Sequence, residues 1–120
     1  METALLVCPK CRKTLVPNAE GTSLVCENRH TYDVARQGYV NLGLGHAGSG
    51  DDREMCRARH RFHSGDYYRR LADALSALCR DFGVRTLVDA GCGEGYYLRR
   101  LREDIPGMRL VGLDLAKEAI

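Results

Sequence analysis

The sequence predicts an α/β protein: a small module of β-hairpins, residues 1–42, followed by the beginning of a parallel-sheet domain, residues 51–120. Short apolar runs separated by turn-forming residues indicate the hairpins. A glycine-rich segment, residues 43–50, indicates a flexible linker between the two parts. Near the C-terminus a strand, a glycine-rich turn, a helix and a second strand follow one another, which is the order of a βαβ unit.

The hairpins are predicted from runs of only three apolar or β-branched residues. Thr14–Val16 is followed by Pro17-Asn18-Ala19-Glu20-Gly21, a stretch rich in turn formers, and Ser23–Val25 comes next. So small a module buries little apolar surface, and we therefore expect another source of folding energy.

Three cysteines and a histidine in this module have the spacing of metal ligands: Cys8-Pro-Lys-Cys11, then fourteen residues, then Cys26-Glu-Asn-Arg-His30. Zinc prefers four nitrogen or sulfur ligands in a tetrahedron, and each close pair supplies two of them. Because protein would fill all four positions, we interpret Cys8, Cys11, Cys26 and His30 as a structural zinc site that stabilises the fold. The alternatives are reduced surface thiols beside an unrelated histidine, and a redox C-x-x-C, which usually begins a helix after a strand.

Two helices are predicted at the start of the second part. Asp51-Asp52 can cap a helix that runs to about His63. A second helix follows Asp66 and ends at Gly83, because its apolar residues recur at helical spacing on one stripe: Tyr67, Leu71, Ala74, Leu75, Leu78 and Phe82. His60 and His63 have no ligand-like partner in the sequence, so we expect structural or solvent-facing roles for them.

The βαβ unit follows. Thr86–Asp89 is predicted as a buried strand, and the turn Ala90–Gly95 opens a helix that runs to about Asp104. Pro106-Gly107 breaks that helix, Arg109–Leu113 is a second strand, and Ala116–Ile120 begins another helix.

The glycine-rich turn predicts a nucleoside cofactor. Asp89-Ala-Gly91-Cys-Gly93-Glu94-Gly95 places G-x-G-x-G between a strand and a helix, where glycine lets the backbone approach a ligand closely. Asp114 closes the next strand, nineteen residues after Gly95, where a carboxylate can accept hydrogen bonds from ribose hydroxyls. A dinucleotide is the alternative, but its fingerprint is G-x-G-x-x-G. Asp89 and Glu94 suit the cationic methionine end of S-adenosylmethionine (SAM) better than a pyrophosphate.

Composition is that of an ordinary globular protein, with 44% hydrophobic and 28% charged residues and a net charge of +2. The segment Arg57–Arg70 holds five arginines and two histidines against one acid, so it is either a phosphate-binding surface or a solvated helix face. No apolar run is long enough to span a bilayer and no signal peptide is evident, so we expect no membrane partner. We therefore expect a cytoplasmic protein with reduced thiols.

These motifs together resemble one family, the large-subunit ribosomal RNA guanine-N1 methyltransferases, which include macrolide-resistance members. The resemblance covers nearly the whole chain and rests on the following stretches: the Cys/His pairs, His30-Thr-Tyr-Asp33, Gly38-Tyr-Val-Asn-Leu42, Glu54-Met55-x-x-Ala58-Arg59-x-x-Phe62, Asp89-Ala-Gly-Cys-Gly-Glu-Gly-Tyr-Tyr97 and Gly112-Leu-Asp114-x-x-Lys117-x-Ala-Ile120.

The resemblance implies methyl transfer from SAM to N1 of a guanine in a 23S rRNA hairpin loop, with the zinc module helping to hold the RNA. It also implies a class I (Rossmann-like) methyltransferase domain, of which this chain would contain only the beginning. The residues that match the family's SAM contacts are Gly91, Gly93, Glu94, Asp114 and a tyrosine that we place at Tyr68, with Tyr67 as the alternative.

The family's residues that act on the base follow the fourth strand of its sheet, so no catalytic residue is assigned in this chain. Two other functions stay open: a non-catalytic zinc-dependent RNA-binding protein, and a half enzyme that a partner chain completes. A homodimer is likewise an open alternative for its assembly.

Overall fold

The computed structural model describes residues 3–43, 51–117 and 119 of the 120 in the chain. The chain divides into two compact units, Met1–Gly48 and Ser49–Ile120. Apart from Gly43, the predicted linker 43–50 lies outside the described residues. No helix in the described part of the chain is long and apolar enough to cross a membrane.

The first unit is a three-stranded antiparallel meander. It consists of a 3-10 helix, Thr3–Leu5, and three strands, β1 (Leu15–Pro17), β2 (Ser23–Cys26) and β3 (Thr31–Asp33), in the order β1-β2-β3. The β1–β2 pairing sets Leu15 opposite Cys26, and the β2–β3 pairing sets Leu24 opposite Tyr32. The predicted β1–β2 hairpin is confirmed to within one residue, whereas β3 was not predicted.

A side chain closes the turn between β1 and β2. Asn18 accepts hydrogen bonds through Oδ1 from the backbone nitrogens of Thr22, at 2.9 Å, and Ser23, at 3.2 Å. An asparagine that binds backbone a few residues onward stabilises a tight turn, and Gly21 supplies the left-handed conformation, with φ of 69°. This turn fixes the strand register that places Cys26 beside β1.

The core of the first unit is very small. Its buried hydrophobic residues are Cys8, Leu15, Leu24 and Cys26, and partly buried residues pack against them: Leu6, Cys11, Tyr32, Val40 and Leu42. Half of the buried core therefore consists of two of the four predicted metal ligands, and the fold of this unit depends on what holds those sulfurs together.

The second unit has a β–α–β arrangement preceded by two helices. Its elements are α1 (Arg53–Ser64), α2 (Arg69–Asp81), β4 (Thr86–Ala90), α3 (Tyr96–Asp104) and β5 (Arg109–Leu113). Strands β4 and β5 are parallel and in register from Thr86 opposite Arg109 to Ala90 opposite Leu113. Asp52 caps α1 by accepting a hydrogen bond from the backbone nitrogen of Met55 at 2.8 Å. These five elements match predicted elements in type and order. Strand β4 is not buried as predicted: Val88 is 53% exposed, because among the described residues only β5 pairs with this strand.

The buried face of helix α2 is not the face that carries its predicted apolar stripe. Ala72, Ser76 and Cys79 are buried, whereas Leu78 is 53% and Phe82 80% exposed. The buried face packs against α3, where the Ser76 hydroxyl donates to Asp104 at 2.7 Å. A strong apolar periodicity predicts the helix correctly but does not decide which neighbour each face meets.

The last predicted helix is not formed by the described residues. Ala116, Lys117 and Ala119 make a single turn, closed by the Ala119 nitrogen donating to the Ala116 carbonyl at 3.0 Å. Residues 118 and 120 of the predicted segment lie outside the described part of the chain.

Candidate metal centre and cofactor pocket

The four predicted zinc ligands converge in the first unit. The sulfurs of Cys8, Cys11 and Cys26 and a ring nitrogen of His30 all lie within 4.8 Å of one another. Cys11 and Cys26 have their sulfurs 3.6 Å apart, and His30 Nδ1 is 3.4 Å from the sulfurs of both Cys8 and Cys26. In a tetrahedral zinc site, ligand atoms are about 3.6–3.8 Å apart, given Zn–S near 2.3 Å and Zn–N near 2.0–2.1 Å. The spacing therefore fits zinc.

Two similar turns present these ligands. The backbone nitrogen of Arg12 donates to the Cys8 carbonyl at 2.7 Å, and that of Arg29 donates to the Cys26 carbonyl at 2.8 Å. Both arginines adopt left-handed backbone with φ of 61°. Each ligand pair is thus turned back on itself by local hydrogen bonds, and the β1–β2 register brings the two turns together.

A tyrosine that the sequence did not suggest as a partner lies beside the ligands. The Tyr32 hydroxyl is 3.2 Å from Cys8 Sγ. Burial raises the pKa of the Cys8 thiol, but the hydrogen bond from Tyr32 and two backbone hydrogen bonds outweigh it and lower that pKa to about 6. The same contact raises the pKa of Tyr32 to about 12. The hydroxyl is therefore a donor to an ionised sulfur, which is the form that binds metal.

The second unit has a cavity of about 200 Å³ at the carboxyl ends of β4 and β5. The three loop glycines preceding α3 have left-handed backbone, with φ of 84°, 54° and 73° at Gly91, Gly93 and Gly95. The nitrogens of Gly91 and Cys92 donate to the Leu113 carbonyl at 2.7 and 3.0 Å, which ties the loop to the end of β5. The topology thus puts a glycine loop at the edge of a parallel sheet, where α/β proteins bind ligands.

Most of the predicted cofactor residues line this cavity. Those that do so are Asp89, Gly91, Gly93, Glu94 and Asp114. Gly95 is the N-cap of α3 and Tyr68 is the N-cap of α2, and neither is among the described lining residues. Tyr68 is 43% exposed, and its ring lies 5.4 Å from that of Phe62. Tyr96 and Tyr97 line the cavity instead, although the sequence did not single them out as ligand contacts.

Asp114 holds the loop as well as facing the cavity. Its carboxylate accepts from the backbone nitrogen of Gly93 at 2.8 Å through Oδ2 and from that of Ala116 at 2.7 Å through Oδ1. An ionised carboxylate has about four acceptor positions, so two remain for a ligand's hydroxyl groups.

Cys92 is packed inside the loop rather than presented as a nucleophile. Burial, followed by the charges of Asp89 and Asp114, raises the pKa of its thiol, which disfavours the reactive thiolate. Gly112 on β5 makes room for it, since a Cβ there would lie 2.7 Å from Cys92 Sγ.

Helix α1 contributes a wall of the cavity that the sequence did not predict. Glu94 accepts hydrogen bonds from Nδ1 of both His60, at 2.5 Å, and His63, at 2.8 Å. Burial raises the pKa of Glu94, but these two donors outweigh it and the net pKa is lowered. The His63 ring also stacks on Tyr96 with ring centroids 4.8 Å apart. No pattern in the sequence connects α1 with the loop, because the partners are more than thirty residues apart.

Carboxylates dominate the charge of the cavity. Asp51, Asp89, Glu94 and Asp114 line it, against one arginine, Arg59, whose guanidinium is paired with Asp51 at 2.7 Å. A cavity with this balance attracts a cation and disfavours a pyrophosphate.

Comparison with known proteins gives one matching family model and several relatives. Residues 6–43 match the model of the N-terminal zinc ribbon of RlmA. The chain is 34% identical to the 23S rRNA (guanine(748)-N(1))-methyltransferase of Streptomyces fradiae, with 96% of this chain and 42% of the relative aligned. It is 34% identical to a provisionally named 23S rRNA guanine-N1 methyltransferase of Micromonospora griseorubida, with 96% and 45% aligned. It is 32% identical to YxjB of Bacillus subtilis (strain 168), also provisionally named a 23S rRNA guanine-N1 methyltransferase, with 100% and 45% aligned.

The chain spans less than half the length of these curated relatives. The zinc-ribbon match and the convergence of Cys8, Cys11, Cys26 and His30 both support zinc as its metal. The chain is therefore related to the N-terminal portion of the 23S rRNA guanine-N1 methyltransferases, as its motifs predicted.

Proposed function

We propose that this chain is the N-terminal part of a SAM-dependent methyltransferase that acts on N1 of a guanine in a 23S rRNA hairpin loop, in the cytoplasm. The observation that supports it most is the acidic cavity on the glycine loop at the carboxyl ends of β4 and β5. Relatives named as enzymes of this kind align with nearly the whole chain.

In this proposal the loop and the two strand ends bind the cofactor. Gly91, Gly93 and Gly95 allow close approach of the backbone, and Asp114 accepts hydrogen bonds from ribose hydroxyls. Asp89 and Glu94 provide negative charge for the cationic methionine end. Tyr68 is proposed as a further contact from the start of α2.

In this proposal the chain binds and orients the cofactor rather than moving the proton of the guanine. Guanine N1 becomes nucleophilic as its proton leaves, so an enzyme must align N1 with the methyl group and give that proton a base or a water path. SAM, when bound, supplies the methyl group on a sulfonium. The cavity residues would orient the cofactor, and we assign none of them as the acid or base.

The zinc module is proposed to help hold the RNA. With all four positions of the metal taken by Cys8, Cys11, Cys26 and His30, no position remains for a reactive water. The metal would therefore stabilise the meander and keep its surface ordered for RNA rather than take part in methyl transfer.

Calorimetric titration of the zinc-loaded chain with SAM tests this proposal. We expect the unaltered chain to bind SAM and Asp114→Asn to bind it about tenfold or more weakly. The variant lacks the carboxylate charge that strengthens hydrogen bonds from a ligand's hydroxyl groups. Asp81→Asn is the matched control, because Asp81 is exposed on α2 and its carboxylate makes no hydrogen bond or ion pair with other described residues. Failure to bind SAM, or tighter binding of NAD, would contradict the proposal.

One observation favours the half-enzyme alternative. Apolar side chains of α2, of its C-cap and of β4 are exposed, among them Leu71, Leu78, Phe82 and Val88. Further polypeptide that covers them would complete the domain. SAM binding that requires such a partner chain would support this alternative, whereas RNA binding without any SAM binding would support a non-catalytic RNA-binding protein.

A further inference from the structure

Arg57 and Arg61 are exposed on one face of helix α1, one turn apart. Arg57 and Arg61 are four residues apart, so their Cβ atoms are about 5–6 Å from each other. Neither makes an ion pair with another residue in the described ranges 3–43, 51–117 and 119. Arg59 lies between them in sequence but is neutralised by Asp51 at 2.7 Å. The basic segment that the sequence indicated is therefore reduced, on this helix, to one pair of uncompensated guanidinium groups.

These two arginines line an open groove beside the cofactor cavity. The groove is formed by Cys56, Arg57, His60, Arg61, Glu94 and Ala119. Cys56, Glu94 and Ala119 also line the cavity, so the groove and the cavity share a wall. Glu94, the one acid of the groove, is already hydrogen-bonded by His60 and His63. Its charge is thus directed to the histidines rather than to the arginines.

We propose that Arg57 and Arg61 form a phosphate-binding surface for the RNA strand whose base is presented to the cofactor in the cavity; this inference rests on the proposed function. Guanidinium groups bind phosphate oxygens in a bidentate fork, and Arg57 and Arg61 offer two such forks one helical turn apart along the groove. A base presented to a cofactor in the cavity has its own backbone outside the cavity, and the groove adjoins the cavity on that side. Phosphate contacts of this kind position a nucleic acid without reading its sequence.

The test measures binding of a fluorescently labelled RNA stem-loop with a guanine in its loop to the full zinc-loaded chain, by anisotropy at several salt concentrations. For Arg57→Gln/Arg61→Gln we expect weaker binding. In a plot of log affinity against log salt concentration, the slope should be smaller in magnitude by about 1.4, since each lost phosphate contact on a single strand accounts for about 0.7. Arg57→Lys/Arg61→Lys should keep most of the slope but bind less tightly, because lysine lacks the fork.

The matched control is Arg99→Gln/Arg102→Gln on α3. Both residues are exposed, pair with no acid among the described residues, and do not line the groove, so this variant loses the same charge elsewhere. If the two glutamine double variants weaken stem-loop binding equally, the arginines act only by general attraction to polyanions and the inference is overturned. The same holds if Arg57→Gln/Arg61→Gln weakens binding to heparin as much as binding to the stem-loop. Absence of RNA binding by the unaltered chain would also overturn it. SAM titration of the same samples separates these outcomes from failure of the proposed function, since Arg57 and Arg61 do not line the cavity.

Discussion

Replacing Tyr32 by phenylalanine should weaken zinc binding without unfolding the first unit. The change removes the hydroxyl that lies 3.2 Å from Cys8 Sγ and leaves the ring that packs against the small core. Because β3 holds Tyr32 opposite Leu24, the ring keeps its place in the sheet. The loss is therefore confined to one hydrogen bond to a metal ligand.

The structure sets the size of the effect. Removal of a hydrogen bond to a metal ligand typically lowers metal affinity by about 10–100-fold. The Cys8 sulfur also receives hydrogen bonds from the backbone of Lys10 and Cys11, so Tyr32 is one of several donors. We therefore expect a loss near the lower limit, about tenfold.

Competition with a chromophoric chelator measures this change in zinc affinity at neutral pH. Tyr39→Phe is the control, because Tyr39 is a half-buried tyrosine of the same unit whose hydroxyl contacts no predicted ligand. Equal zinc affinity in Tyr32→Phe and the unaltered chain would show that the hydroxyl does not stabilise the metal-binding thiolate of Cys8.

Three further predictions concern stability. Because the pKa of Glu94 is lowered in the folded state, the contact with His60 and His63 stabilises at neutral pH, and this stability is lost as pH falls through the folded pKa. The difference in melting temperature between the unaltered chain and Glu94→Gln should shrink on acidification, and a constant difference would contradict this. Leu24→Ala should reduce the free energy of unfolding of the first unit by about 2–5 kcal/mol in a denaturant titration. Val16→Ala, at a residue 54% exposed, should change it by less than about 0.5 kcal/mol, and equal effects would contradict the described core. Chelation of zinc should abolish the dispersed amide NMR signals of β1–β3, and zinc should restore them; persistence after chelation would contradict a metal-dependent fold.

Local rules made much of this fold predictable. The paired spacing of Cys8 with Cys11 and of Cys26 with His30 reflects short turns. A short turn depends on residues that are adjacent in the sequence, so it can be predicted from them. The βαβ unit was predictable for the same reason: apolar runs mark both strands, and glycines mark the turn between strand and helix.

Contacts between distant residues were not predictable in this way. Strand β3 is only three residues long, too short for its alternation to predict it, yet its pairing with β2 places Tyr32 beside Cys8. The bonds from His60 and His63 to Glu94 depend on how α1 meets the glycine loop, which no periodicity encodes.

The face that α2 buries is a further case. The helix packs small residues, Ala72 and Ser76, against α3 and leaves larger apolar residues exposed. Close packing of two helices favours small side chains at their contact, whereas hydrophobicity alone predicts that the large ones are buried. Sequence periodicity therefore identified the helix and missed its neighbour.

Reverse transcription of 23S rRNA tests directly whether this gene is needed for methylation of a guanine at N1. The RNA is taken from strains of the source organism in which the gene is intact, disrupted or restored. A methyl group on N1 of guanine blocks the Watson–Crick edge and stops the reverse transcriptase at that nucleotide. We expect one strong stop that is lost on disruption, returns with the unaltered gene, and does not return with Asp114→Asn. Identical stops in the intact and disrupted strains would contradict it.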